Sequence, residues 1–167
     1  ILGVKQVPSF KAWLKDAEIV DDKVKLTPFG ELCVEVNKEN STLLWELIHI
    51  NLAYNSPLVK WYLSAVNINS ETGRKELDKL AVEYFQQTFK NTTITYAVQA
   101  LVQTFKYSPI GEEHLQFVCQ DAKGTVFKRL SYNDLSPEAV AYSLYKYAQE
   151  KGIKMLRVSD LYRPEEE

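Results

Sequence analysis

The chain has 167 residues, of which 46% are hydrophobic and 25% are charged, and this composition excludes an intrinsically disordered protein. Its formal net charge of −2 argues against non-specific nucleic-acid binding as the main property. No apolar run reaches the roughly 18 residues that a membrane-spanning helix needs, so we expect no membrane partner.

The first part of the chain predicts two helices joined by a turn and a short strand. Apolar residues recur at helical spacing over 9–17, which predicts a short amphipathic helix. Two consecutive aspartates then suit a turn before a short strand over 23–26. Thr27 followed by Pro28 is typical of a helix start, with a capping side chain and proline at the first helical position. This order of elements is common in winged-helix units.

Residues 43–66 predict a central pair of helices that is broken at Pro57. The first of them is apolar on nearly all sides, which is typical of a helix packed on several sides. The pair holds Trp45, Trp61 and Tyr62, each of which can bury on the order of 150–250 Å². We expect these aromatic residues to form a core. The other interpretations are a ligand pocket and a docking surface for an upstream domain.

Residues 70–132 predict a second set of helices followed by a β-hairpin. Apolar stripes predict one helix that starts at Ser70 and another over 93–106. Two short β-prone runs, 115–119 and 125–130, flank a turn that contains glycine, which predicts the hairpin. The order helix, helix, two-stranded wing is again that of a winged-helix unit.

A Ser-Pro-Glu sequence predicts the capped start of a last helix at Ser136, and Gly152 ends it. The predicted fold is mostly α with small β elements (α+β), arranged as a single compact domain over residues 1–163. Its parts are a winged-helix-like unit over 1–40, the central helix pair over 43–66, a winged-helix-like unit over 70–132, a C-terminal helix over 136–151 and a solvated acidic tail over 164–167. Because the chain begins on isoleucine and ends on three glutamates, we expect a piece of a longer polypeptide.

Residue types for catalysis or metal binding do not cluster in the sequence. The six glycines are scattered, which argues against a phosphate-binding loop. His49 and His114 have no partner at i+3 or i+4 that would complete a metal pair, so we expect structural histidines. Glu46, inside the apolar helix, is the carboxylate that stands out, and we expect it to be buried and hydrogen-bonded or to make a helix-surface contact. We expect no catalytic residue, cofactor site or metal site in this chain.

The two cysteines, Cys33 and Cys119, are too few and too far apart in sequence for a metal cluster or a disulfide framework. We expect both to be small buried residues in a reducing compartment, which favours the cytoplasm.

The predicted wing raises the hypothesis of a nucleic-acid interface. A recognition helix presents polar side chains to base edges and basic side chains to phosphates. The candidate contacts on the outer face of the 93–106 helix and on the wing are Gln99, Gln103, Lys106, Lys123, Lys128 and Arg129. Residues 88–132 carry five basic and three acidic residues, which is a weak positive excess for a DNA reader. A solvated polar face is the competing interpretation, and we favour it.

Three segments resemble a domain family of unknown function: WLKDAEIVDDKVKLTPFGELC, LLWELIHINLAYNSPLVKWYL and VAYSLYKYAQEKG. The family occurs as the C-terminal part of bacterial proteins assigned to the phosphoadenosine phosphosulfate (PAPS) reductase family. It also occurs as free-standing proteins near DNA phosphorothioation and phage-defence genes. The resemblance extends over residues 2–163, and its motifs are of a structural type.

The resemblance implies an upstream catalytic domain with a Ser-Gly-Gly-x-Asp pyrophosphatase loop that binds an adenylyl nucleotide, often with an iron–sulfur cluster held by cysteines. This chain contains neither motif, so no catalytic residue carries over to it. The resemblance implies a non-catalytic accessory module of a PAPS reductase-like or sulfotransferase-like protein, which docks on that upstream domain and positions substrate or partner. The alternative is a winged-helix nucleic-acid-binding module that brings such an enzyme to DNA or RNA.

Overall fold

The computed structural model describes residues 6–111, 118–120, 126–130, 134–157 and 159. The helices and strands in these residues are α1 (Gln6–Asp16), α2 (Pro28–Glu39), α3 (Ser41–Asn55), α4 (Pro57–Ala65), β1 (Glu71–Gly73), α5 (Arg74–Phe85), α6 (Asn91–Tyr107), β2 (Val118–Gln120), β3 (Val126–Arg129) and α7 (Pro137–Lys151). The fold is therefore mostly α with a small sheet, as predicted. The predicted acidic tail lies outside the described residues, and the domain boundaries stay a prediction.

The start of α2 follows the predicted capping chemistry. The hydroxyl oxygen of Thr27 accepts a hydrogen bond from the backbone N–H of Gly30 at 2.9 Å, and Pro28 is the first helical residue. A side chain at Gly30 would not fit, because a Cβ there would lie 2.1 Å from the carbonyl oxygen of Ile19. The turn after α1 and the first turn of α2 are therefore packed against each other.

The strand predicted over 23–26 does not form. In its place the structure has one isolated bridge between Val20 and Leu26. The side chain of Asp21 accepts hydrogen bonds from the backbone N–H groups of Lys23 and Lys25, both at 2.9 Å. These bonds fold the segment into a turn, because a donor held by an aspartate side chain is not available to a neighbouring strand.

Helix α3 is the central element, as its apolar surface predicted. It packs against α1, α2, α4 and α7. The side chain of Asn40 caps its N-terminus by accepting from the backbone N–H of Leu43 at 3.0 Å. The core that surrounds α3 and α4 consists of apolar residues from most of the helices and from β3, including Leu44, Ile48, Leu52, Val59, Leu77, Val98, Leu101, Phe105 and Phe127.

Residues 57–130 have the element order of a winged-helix domain: helix, strand, two helices and a two-stranded wing. The three strands form an antiparallel sheet in the order β1-β3-β2. Thr72 lies opposite Phe127 in this sheet, and both side chains are buried. The prediction that a helix starts at Ser70 is wrong by four residues, because the segment before Arg74 pairs with β3 as strand β1.

Helix α7 lies on α3. The hydroxyl of Tyr142 donates to the side-chain oxygen of Asn51 at 2.7 Å, and Lys146 forms an ion pair with Glu18 at 2.6 Å. The helix ends at Gly152, whose φ of 65° is the left-handed conformation that glycine adopts without strain. None of the helices in the described residues combines the length and apolar character needed to cross a membrane.

Candidate interaction surface and the Glu46 cleft

Helix α6 has the place in the order of elements that the recognition helix has in a winged-helix domain. The exposed side chains described on its outer face, Tyr96, Gln99, Gln103 and Tyr107, are uncharged. Gln99 and Gln103 are exposed there, as predicted for base-reading residues. Two tyrosines on the same helix are more prominent, since Tyr96 is 71% exposed and Tyr107 is 75% exposed. Lys106 is the helix's only charged residue, and its side chain lies outside the described atoms. A neutral face that carries tyrosines has the composition of a protein interface more than that of a phosphate-binding surface.

Arg129 on strand β3 is turned into the fold. Its Nη1 atom donates to the carbonyl oxygen of Leu63 at 2.7 Å and also to the carbonyl oxygen of Val66. These carbonyl groups lie at the C-terminal end of α4, where backbone acceptors have no partner within the helix. Burial lowers the pKa of the Arg129 guanidinium from its ordinary value. The described position of Arg129 therefore suits the capping of α4 rather than contact with a phosphate.

Lys128 lies next to Arg129 but on the other face of the sheet, because successive residues in a strand point to opposite sides. In the β1–β3 ladder it is directly opposite Glu71. Oppositely charged residues at paired positions attract each other across a ladder. Lys123 and the side chain of Lys106 are not described, and the other four candidate contacts, Gln99, Gln103, Lys128 and Arg129, are at exposed or partly exposed positions, with Arg129 bonded to the end of α4. The nucleic-acid contacts stay a prediction.

The aromatic residues of the central pair mostly form core. Trp61 and Tyr62 are each 3% exposed, as predicted. Trp61 packs edge-on against Phe85 with ring centroids 5.8 Å apart, and Tyr62 packs on Phe105 at 5.1 Å. Trp45 is only partly buried at the margin of this core.

A cleft of about 240 Å³ opens on another side of α3, between α3 and α7, and Glu46 and His49 line it. Glu46 is 1% exposed and therefore buried as predicted, but only one of its two carboxylate oxygens has a hydrogen-bond partner among the described residues. Its Oε1 atom accepts from the backbone N–H of Ser136 at 3.1 Å, just before α7 begins. The hydroxyl of Ser136 makes no capping bond within the described part of the chain, and the predicted side-chain cap is therefore wrong.

The imidazole of His49 is uncharged at neutral pH. Burial, helped by the positive charge of Arg129, lowers the pKa of His49 to about 4. Part of the ring remains accessible from the cleft, while its Nδ1 atom is buried. His114, the other histidine, lies outside the described residues.

The cysteines and the metal-ligating residue types form no metal site among the described residues. Cys33 is buried, and burial raises the pKa of its thiol to about 11, which keeps the thiol protonated. The side chain of Cys119 is not described. No group of three or more His, Cys, Asp or Glu side chains that could hold a metal ion occurs among the residues described. The iron–sulfur cluster that the resemblance implies has no ligand set in this part of the chain.

Fold and surface together define a mostly α domain with a small antiparallel sheet and a helix, α6, whose described exposed side chains are uncharged and include two tyrosines. Comparison of the chain with protein-family models, with curated proteins and with solved structures finds no match.

Proposed function

We propose that this chain is a non-catalytic accessory module that docks a protein partner through the outer face of α6. The observation that carries the proposal is that the described exposed side chains of α6, among them Tyr96, Gln99 and Gln103, are uncharged on a helix that a nucleic-acid reader would make basic. Protein interfaces are enriched in tyrosine and depleted of charge at their centre, whereas binding of nucleic acid depends on cations that neutralise phosphates.

Two shallow grooves beside α6 support protein docking. One of about 360 Å³ lies between α1 and α6 and is lined in part by Trp13 and Tyr96. The other, of about 230 Å³, is lined in part by Phe85 and Phe89 and shares Leu58 with the first. Grooves of this kind accept apolar or aromatic side chains of a partner, and such buried anchors carry most of the binding free energy in protein complexes.

The partner we propose is the catalytic domain of a PAPS reductase-like or sulfotransferase-like protein, with the module positioning that domain's substrate or partner. The support is the resemblance of the three segments quoted above. In this proposal the adenylyl nucleotide and the iron–sulfur cluster belong to the catalytic domain, and this chain supplies a contact surface.

The proposal is tested by calorimetric titration of the chain with the catalytic domain encoded upstream in the same gene. We expect saturable binding that Tyr96→Glu weakens by at least about tenfold, because the substitution places a charge in the contact. Tyr145→Glu is the matched control, since Tyr145 is 61% exposed but lies on α7. Absence of binding, or equal weakening by the two variants, would contradict docking through α6.

The second candidate function is binding of DNA or RNA. The observation that favours it is the order of elements in residues 57–130 together with the β1-β3-β2 sheet, which is the arrangement of winged-helix readers. Arg129 and Lys128 weaken this candidate, because the first is bonded to the end of α4 and the second lies opposite Glu71.

A further inference from the structure

The cleft between α3 and α7 has the composition of a small-molecule site, with a few polar residues in a mostly apolar lining. Glu46 and His49 lie one turn apart on α3, and Ser143 lines the cleft from α7. The apolar lining includes Ile50, Leu63, Leu135 and Val140. At about 240 Å³ the cleft exceeds an engineered apolar cavity of about 150 Å³ that binds benzene in another protein, so a ring with a short side chain fits by volume.

The carboxylate of Glu46 is incompletely satisfied. One oxygen, Oε1, accepts from the backbone N–H of Ser136. The other, Oε2, is buried and has no hydrogen-bond partner among the described residues. A buried carboxylate costs free energy unless donors or an opposite charge compensate it, and buried polar atoms without a partner are rare in folded proteins. A ligand that brings a positively charged donor would supply what Oε2 lacks.

The surroundings of Glu46 favour an organic cation over a metal ion. One carboxylate beside one imidazole gives too few ligands for a metal site, which needs at least three protein side chains in most cases. The guanidinium of Arg129 is held by the carbonyl oxygens at the end of α4.

We propose that this cleft binds a small organic ammonium ion, with the ammonium group donating to Oε2 of Glu46 and the apolar body lying between Ile50, Leu63 and Val140. The inference does not depend on the docking function of α6, because the cleft is lined by residues of α3, α4, α7 and the segment before α7.

Benzylamine is a suitable probe, because it combines an ammonium group with a ring of the size that the cleft accepts. We expect titration of the ¹⁵N-labelled chain to give saturable amide shifts confined to α3, α4, α7 and residues 134–136. Benzyl alcohol has nearly the same shape without the charge, and we expect it to bind at least about tenfold more weakly.

Two variants and one control locate the binding. Glu46→Gln keeps an acceptor for Ser136 but removes the charge, and we expect it to bind benzylamine at least about tenfold more weakly. Val140→Phe places a larger side chain at the cleft rim and keeps Glu46, so it tests the site even if Glu46→Gln does not fold. Glu76→Gln, at an exposed position on α5, is the matched control and should bind as the unmodified chain does.

Three results would overturn the proposal. The first is the absence of saturable shifts up to about 10 mM benzylamine, where even a ligand with a Kd of about 1 mM would be mostly bound. The second is equal affinity for benzylamine and benzyl alcohol. The third is unchanged binding in both Glu46→Gln and Val140→Phe.

Discussion

Arg129 was a candidate nucleic-acid contact in the sequence, but in the fold its side chain is hydrogen-bonded to the backbone at the end of α4. Its guanidinium joins the last strand of the sheet to the carbonyl groups of Leu63 and Val66, which lie 66 and 63 residues earlier in the chain. No local pattern reveals partners at such a distance. The sequence indicates a basic wing, and only the fold shows that one of its two neighbouring cations faces inward.

We expect Arg129→Ala to lower the free energy of unfolding by about 2–3 kcal/mol, because it removes charge-assisted hydrogen bonds and leaves two carbonyl groups at the end of α4 without their donor. Lys128→Ala is the adjacent control and should cost less than about 1 kcal/mol, since a cross-strand pair near the surface contributes little. Urea unfolding measures both. Equal losses in the two variants would show that Arg129 does not hold α4.

His49 gives a pH dependence whose sign follows from its lowered pKa. The folded-state pKa of about 4 lies below the ordinary value of 6.5, so the unfolded chain binds the proton first as the pH falls. The stabilising contribution is therefore complete above pH 6.5 and is lost between pH 6.5 and pH 4. Relative to His49→Gln, we expect the unmodified protein to lose about 2 kcal/mol more between neutral pH and about pH 4.5.

The comparison with His49→Gln removes the contributions of the other titrating groups. Asp16, for example, acts in the opposite direction, because burial raises the pKa of its carboxyl group. Denaturant unfolding at the two pH values gives the four free energies that the comparison needs. The same pH-dependent loss in both proteins would mean that His49 is not titrating in a buried position.

At the scale of elements, the two tryptophans of the central helix pair differ in how deeply they are buried. Trp61 is 3% exposed on α4 and packs on Phe85, whereas Trp45 on α3 is only partly buried. We expect Trp61→Ala to cost about 3–5 kcal/mol, as for other buried aromatic residues, and Trp45→Ala to cost less than half as much. Thermal unfolding distinguishes them. A larger loss for Trp45→Ala would place the core on the other side of the pair.

Most of the helices were predictable from sequence because they have apolar residues at helical spacing, and several have a recognisable start or end. Thr27 with Pro28 and the left-handed Gly152 are examples in which the cap itself was readable. Strand β1 was not predictable, because it has three residues and its partner β3 lies more than 50 residues later. The 23–26 segment was predicted as a strand because the hydrogen bonds that the Asp21 side chain accepts from the backbone of Lys23 and Lys25 do not alter the apolar pattern.

At the scale of the whole molecule, the cleft between α3 and α7 could not be predicted. Sequence singled out Glu46 and His49, but the groups that complete the cleft come from α7, and Glu46 bonds to Ser136 across 90 residues. On α6 the sequence predicted an exposed polar face with Gln99, Gln103 and Lys106, whereas the exposure of Tyr96 depends on packing.

The central claim is that the α6 face binds protein and not nucleic acid, and titration with duplex DNA tests it most directly. We expect no saturable change in anisotropy at low micromolar chain in about 0.15 M salt, because screening over about 8 Å leaves too little field from a chain of net charge −2. Saturation at that concentration would contradict the claim. Weaker DNA binding by both Gln103→Glu and Lys128→Glu would show that α6 and the wing contact the DNA. A fall of about 1 in the slope of log affinity against log salt concentration with Lys128→Glu would identify a phosphate contact.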